Sequence, residues 1–278
     1  MIPVKEAKSI IHKHIPLSGN ETVLLKDSGN RVLAQDIIAT FPMPSFDNSA
    51  MDGFAVRAVD TKGADQSLPV TLKMVGVSSA GSPGDITLGP GECAQCMTGA
   101  IIPNGADAIV MVEDTSGFSD TDSVQIFQEA KTGKHIREKG EEIQDRNMLI
   151  PKGTHITPNE IGTLATFGYG EISVAKKPRI AIFGTGDELV EPGIELKQGQ
   201  IYNSNIYIFA ELAKKSGAEV VMRDVIKDDP ESLRAFLLEA LKTCDMVISS
   251  GGVSMGRFDY VRDVFMDLGV QEHFWKVA

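Results

Sequence analysis

The stretch that most constrains the fold is Asp245–Tyr260, DMVISSGGVSMGRFDY. Its apolar run Met246-Val247-Ile248 shows no alternation, which suits a parallel strand covered by helices on both faces. The run ends in Ser249-Ser250-Gly251-Gly252. From Tyr260 onward, Val261, Val264, Phe265 and Leu268 recur at helical spacing, and Gly269 supplies a stop. Strand, glycine-rich loop and helix in this order form a unit of an open α/β sheet, where ligands bind over the carboxyl ends of the strands. Glycines allow close backbone approach, and free N–H groups near a helix start favour anions. Asp259 has two readings: a helix cap, or a carboxylate that meets an anion only through a bridging cation.

The residues upstream of this stretch continue the pattern. From Pro178, Arg179–Phe183 reads as a strand, Ser204–Lys215 as a helix stopped at Gly217, and Glu219–Val225 as a strand. Asp229-Pro230-Glu231 opens a helix carrying Leu233, Phe236, Leu237, Ala240 and Leu241 on its apolar side. A last strand is expected near Glu272–Val277. Strand–helix alternation predicts a doubly wound parallel sheet. With no closing helix after that strand, the chain reads as a truncated polypeptide.

The first strand of this region runs into Gly184-Thr185-Gly186-Asp187-Glu188-Leu189. A dinucleotide fingerprint would need a third glycine where Leu189 stands and an immediate helix, so that reading fails. The region instead offers acids at successive strand ends: Asp187 and Glu188, Asp228 and Asp229, then Asp259. Any one of them can be a cap or a solvated side chain. Together, beside glycine-rich loops, they suit a divalent cation bridging to a phosphate.

The first 176 residues differ in character. Val4–His14 is a modest amphipathic helix, and His12 and His14 read as partnerless surface residues. In FPMPSFDNSAMDGFAV, Met51-Asp52-Gly53 reads as a tight turn, Asp-Gly being a hairpin signal. Val70–Val77, Glu92–Met97, Ala108–Val112 and Val124–Phe127 are short strand-like runs between Gly, Pro, Asn and Asp, which predicts a small β-barrel or sandwich. Pro158–Thr166 reads as a short helix capped by Thr157. Cys93 and Cys96 form a lone C-x-x-C inside a strand, without the further ligands of a zinc site, and read as two reduced thiols; Cys244 reads as core.

At 278 residues the chain has room for two or three domains. A net charge of -11 gives the wrong long-range sign for nucleic acid or an anionic membrane. No apolar run reaches transmembrane length and no signal-peptide core opens the chain, so the expected location is the cytoplasm.

FDNSAMDGFAV, MTGA, FGTGDEL and ISSGGVSMG with Asp259-Tyr260 occur here in this order. The combination resembles the MoeA family, the molybdopterin molybdenumtransferases, which includes the E domain of gephyrin. The resemblance implies an elongated mixed α+β dimerisation domain (1–42 and 141–176), an inserted β domain (43–140) and an incomplete molybdopterin-binding α/β domain (177–278). It implies a homodimer with adenylylated molybdopterin and molybdate as substrates, Mg²⁺ as cofactor, AMP as product, and contact with the preceding adenylyltransferase. By the same resemblance, Asp52, Glu188, Asp228 and Asp259 are catalytic, and the last three hold Mg²⁺. Thr98, Arg137, Thr185, Gly186, Gly251, Gly252, Ser254 and Lys276 would bind the pterin substrate, with Glu142 a charged partner near Arg137. Asp52 and Thr98 of one subunit would face Glu188 and Asp259 of the other.

Two departures stand out. Family members often carry Asp where this chain has Asn203, and the family continues past the residue equivalent to Ala278. A gephyrin-like scaffold is the alternative function, but no long linker or extra interaction segment supports it. The preceding adenylyltransferase shares the Ser-Gly-Gly loop yet lacks FDNSAMDG and the inserted β domain.

Overall fold

Along Arg179–Thr185 the pleat sends Ile180 and Ile182 to one face and Phe183 to the other, and all three are buried. A strand buried on both faces must be central and must carry helices on each side. The computed structural model, which describes residues 1–119, 122–251 and 260–278, has that arrangement.

In chain order the principal elements are α1 (Val4–His14), β1 (Asn20–Leu24), β2 (Gly53–Val56), β3 (Val70–Ser78), β4 (Glu92–Cys96), β5 (Ala108–Met111) and β6 (Ser123–Ile126). They are followed by α2 (Pro158–Thr166), β7 (Glu171–Ala175), β8 (Arg179–Thr185), α3 (Asn205–Lys215), β9 (Glu219–Ile226), α4 (Pro230–Thr243), β10 (Met246–Ser250) and α5 (Tyr260–Asp267). The chain divides into two units. One comprises 1–35, 152–165 and 169–278, the other 36–151 and 166–168.

In the first unit β8 lies between β9 and β10, all parallel, in register at Thr185↔Ile226 and Gly184↔Ser250. α3 covers one face, where Ile206, Ala210 and Ala213 meet Ile180 and Ile182. α4 and α5 cover the other, where Leu233, Leu237, Val261 and Val264 meet Phe183. This is the doubly wound pattern. α4 starts where the sequence places it: Asp229 accepts from Ser232 N at 2.8 Å, and Pro230 takes the first helical position. β1 and β7 form a separate antiparallel pair, Asn20↔Ala175 to Leu24↔Glu171. α2 opens on a cap in which Glu160 Oε2 accepts from Thr157 N at 2.8 Å and also from its hydroxyl.

In the second unit a five-stranded sheet runs β5-β2-β4-β3-β6, antiparallel except for the β3–β4 pair. It is packed on both faces. Phe54, Val56, Leu72, Cys93 and Val110 fill one side, and Ala55, Leu88, Ala94, Cys96 and Ile109 the other. Cys93 and Cys96 therefore point into opposite cores, a consequence of the period-2 alternation of a strand. Both are reduced, and burial pushes their thiols up to about 12 and about 11.

Several local expectations are corrected. Asp52-Gly53 does not join two paired strands: Asn48–Ser49 pairs with Ile136–Arg137, while β2 pairs with β4 and β5. Residues 272–277 add no strand to the three-stranded sheet among the described residues; Val277 makes a single parallel bridge to Ile2. His14 is not partnerless, since its Nδ1 lies 2.8 Å from Ile10 O and its ring stacks on His273 with centroids 3.8 Å apart. Cys244 is half-buried rather than core. The strand pairings and the His14–His273 stack depend on residues distant in sequence, which local pattern does not encode.

Candidate functional site

The reversal of strand order at β8, with β9 on one side and β10 on the other, leaves a crevice above its carboxyl end. A cleft of about 200 Å³ opens there. It is lined by Thr185 at the end of β8 and Glu188 beyond it, Ser250 at the end of β10 and Gly251 beyond it, and Tyr202 and Asn203 before α3. Thr185 is buried, whereas Glu188 is exposed at the mouth.

The backbone at this corner is specific to glycine at two positions. Gly186 has φ +148°, and a Cβ there would stand 2.5 Å from Glu188 Oε2. Gly251 has φ +102°, and a Cβ would stand 3.2 Å from Thr185 O. Gly251 therefore presents bare backbone to the cleft, whereas Gly186 is buried behind the Glu188 side chain and does not line it.

A second ribbon walls the cleft. Leu189–Val190 pairs in parallel with Ile201–Tyr202, tied by Ile201 N to Glu188 O at 2.9 Å and Asn203 N to Val190 O at 2.9 Å. Asn203 is 2% exposed. Its Nδ2 points at Glu191 Oε1, 3.5 Å away, and Glu191 Oε2 accepts from the Tyr207 hydroxyl at 2.6 Å. That hydrogen bond to Glu191 raises the Tyr207 pKa, and the Arg223 guanidinium lies 4.2 Å over the Tyr207 ring.

In the other unit, Asp52 and Thr98 are brought together. Asp52 Oδ1 accepts from Thr98 N at 2.7 Å and from Thr98 Oγ1 at 2.8 Å, and these bonds hold the Asp52 carboxyl below its ordinary range. Thr98 can reach because Gly99, at φ +78°, turns the chain back so that its N–H meets Ser49 O at 2.8 Å.

The remaining expected residues are distributed as follows. Asp228 is exposed two residues after the end of β9, and the register Thr185↔Ile226 puts it at the same edge of the sheet as Glu188. It is not among the cleft-lining residues. Gly186 joins Thr185 to the Glu188 segment. Arg137 is exposed on the short strand paired with Asn48. Lys276 is exposed, its carbonyl accepting from Ile2 N at 2.9 Å, and it does not line the cleft. Gly252, Ser254 and Asp259 lie outside the described residues.

Sequence reasoning did not single out Tyr202, Ser250, Glu191 or Tyr207. The polar run Tyr202-Asn203-Ser204 ahead of α3 was the available signal, since such residues gather where a chain turns into a helix. Carboxylate oxygen is the donor type a hard divalent cation takes. Among the described residues, however, no three His, Cys, Asp or Glu side chains converge enough to hold a metal ion. No described helix is long and apolar enough to cross a membrane.

Two family models match successive parts of the chain. The family model for the MoeA N-terminal region (domain I and II) matches residues 2–168, and that for a probable molybdopterin binding domain matches residues 181–278. Molybdopterin molybdenumtransferases from Staphylococcus aureus and Bacillus subtilis are 40% and 39% identical over 277 and 279 residues. Each alignment covers 100% of this chain but only 66% and 65% of the relative. Two crystal structures of a molybdopterin biosynthesis MoeA protein from Pyrococcus horikoshii superpose with TM-scores of 0.84 and 0.82 at 33% and 31% identity. They cover 97% and 90% of this chain and 67% and 66% of theirs. The chain thus spans just under two thirds of the length of the sequence relatives it matches.

Proposed function

The chain belongs to the MoeA family, and on that premise we propose that it carries the machinery for inserting molybdenum into adenylylated molybdopterin with release of AMP. The observation that carries this reading is the glycine-lined cleft at the strand-order reversal, inside the segment that matches a probable molybdopterin binding domain. Gly251 exposes backbone there, Gly186 shapes the turn behind it, and Thr185 adds a polar side chain to the lining, a combination that suits a phosphorylated heterocycle.

Breaking a phosphoanhydride bond asks for positioning and charge neutralisation more than for a covalent nucleophile. Glu188, Asp228 and Asp259 would hold Mg²⁺, which when bound neutralises charge on the phosphates. The residues of the chain do the rest. Gly251, Gly252 and Ser254 would cradle the terminal phosphate of the pterin. Arg137 and Lys276 would supply positive charge to oxyanions, in a chain whose net charge is -11. Asp52, kept ionised by Thr98, would orient the attacking oxygen. The same reading includes the three-part division at 1–42 with 141–176, 43–140 and 177–278. It includes a homodimer in which Asp52 and Thr98 of one subunit face Glu188 and Asp259 of the other. Contact with the preceding adenylyltransferase and a cytoplasmic location complete it.

The test is molybdate-stimulated AMP release from adenylylated molybdopterin with Mg²⁺, using this chain and a form extended to the length of its relatives. Release that collapses in Glu188→Gln and Asp259→Ala supports the reading. A folded, dimeric extended form that releases no AMP sinks it and favours a non-catalytic scaffold.

A further inference from the structure

The amide of Asn203 is the most committed polar group in the cleft. It is almost fully buried, lines the cavity, and meets a carboxylate at its nitrogen end. An ionised carboxylate only accepts, so the amide nitrogen must face Glu191 and the carbonyl oxygen must face away from it. At 3.5 Å this contact is long, and its effect is on orientation more than on stability. Glu191 is itself fixed: the Tyr207 hydroxyl holds its other oxygen at 2.6 Å, and Arg223 lies over the Tyr207 ring. Among the described residues no donor meets Asn203 Oδ1. A buried acceptor left unpaired is costly, and a ligand N–H relieves that cost.

We infer that Asn203 is a specificity residue that presents its Oδ1 to the 2-amino group of a pterin-type ring, and that Glu191 is the positioning residue that sets this orientation. Phosphate and molybdate oxygens offer no donor to Oδ1, so neither satisfies it. The part of a molybdopterin that does offer donors is the amino-pyrimidinone edge of its ring. The inference therefore rests on the reading above and assigns the two ends of the cleft: ring edge at Asn203, phosphate at the Gly251 loop. An Asp at position 203 would keep the acceptor but set a second carboxylate against Glu191, so the amide suits this pairing better.

The test uses two fluorescent probes, 6-hydroxymethylpterin and its lumazine counterpart, in which an oxo group replaces the 2-amino group and turns a donor into an acceptor. Binding is titrated with the wild-type chain, Glu191→Gln and Asn203→Ala. The wild type is expected to prefer the pterin by about tenfold, the scale of one hydrogen bond. In Glu191→Gln the new carboxamide can donate to Oδ1 and let Asn203 turn, so the preference falls to about twofold or less. Asn203→Ala removes the acceptor and loses the preference too, which keeps the inference testable should one variant misfold. A wild type that binds both probes equally, or folded variants that keep the tenfold preference, would overturn it. AMP release is scored separately in the extended form: release without probe preference overturns this inference alone, and no release from a folded, dimeric extended form overturns the transferase reading.

Discussion

Thr98 donates twice to the same oxygen of Asp52, from its backbone N–H at 2.7 Å and from its hydroxyl at 2.8 Å. The exposed carboxylate is thereby fixed in direction and kept ionised, although no cation is needed to do it.

Thr98→Val removes the hydroxyl and keeps the amide, so the Asp52 pKa is expected to rise toward the ordinary value of 3.8. The folded pKa is depressed, so the stability it contributes is present above 3.8 and lost as pH falls through the lowered value. The variant should therefore be less stable than the wild type at pH 7 and equal to it in strong acid. Carbon-detected NMR titration of the side-chain carboxyl checks the pKa, and an unchanged titration refutes the account. AMP release should fall by about tenfold or more in Asp52→Asn, if the carboxylate orients the attacking group.

Asp229 caps α4, and its bonds to Ser232 lower its pKa. Asp229→Ala should lower the thermal midpoint, while Asp229→Asn, which can still accept from Ser232 N, should lower it much less. The wild-type advantage over the Ala variant should hold above pH 3.8 and fade as pH drops through the lowered pKa of Asp229. Equal midpoints for Ala and Asn would show that capping is not the cause.

Gly186→Ala meets two obstacles, a φ of +148° and a Cβ 2.5 Å from Glu188 Oε2. The backbone cost is about 1–3 kcal/mol, readable by urea unfolding. Glu188 must also move, so AMP release should drop further than the stability loss alone explains. A variant of wild-type stability would mean that the loop relaxes freely.

Cys93 and Cys96 are buried, with thiols raised to about 12 and about 11, and Cys244 is half-buried. Thiolate is the reactive form. At pH 8 an aromatic disulfide reagent should modify Cys244 quickly in the folded chain and the other two only after denaturant. Rapid modification of all three in native protein would contradict the packing.

The α/β unit was legible because its signals are local and agree with one another. Asp229-Pro230-Glu231 announces α4 by cap and proline chemistry, and the unalternating run at Met246–Ile248 announces a strand covered on both sides. The four strands read from short apolar runs in 70–127 lie where expected, within a residue or two, because Pro69, Gly91, Asp107 and Asp122 stand at their starts. What escaped depends on distant partners. His14 finds its neighbour more than two hundred residues away in His273, and no periodicity encodes that. The pairing of Arg137 with Asn48 rather than a hairpin at Asp52-Gly53 is equally non-local. At the site, glycine-rich strand ends were visible as pattern. The Glu191–Tyr207 bond behind Asn203 spans a long turn whose conformation the residues do not announce.

The pairing of β1 with β7 has a consequence for how the molecule is made. Asn20 lies opposite Ala175, and residues 36–151 of the other unit fall between them. A ribosome releases β1 long before its partner exists, so β1 must wait, unpaired, while the intervening unit is synthesised. If that unit folds first, it shortens the effective loop that β1 and β7 must close, and the entropy of closure falls with it. The order of synthesis thus favours inside-out assembly: the interrupted pair closes late, and slowing the folding of the insertion should delay it in step.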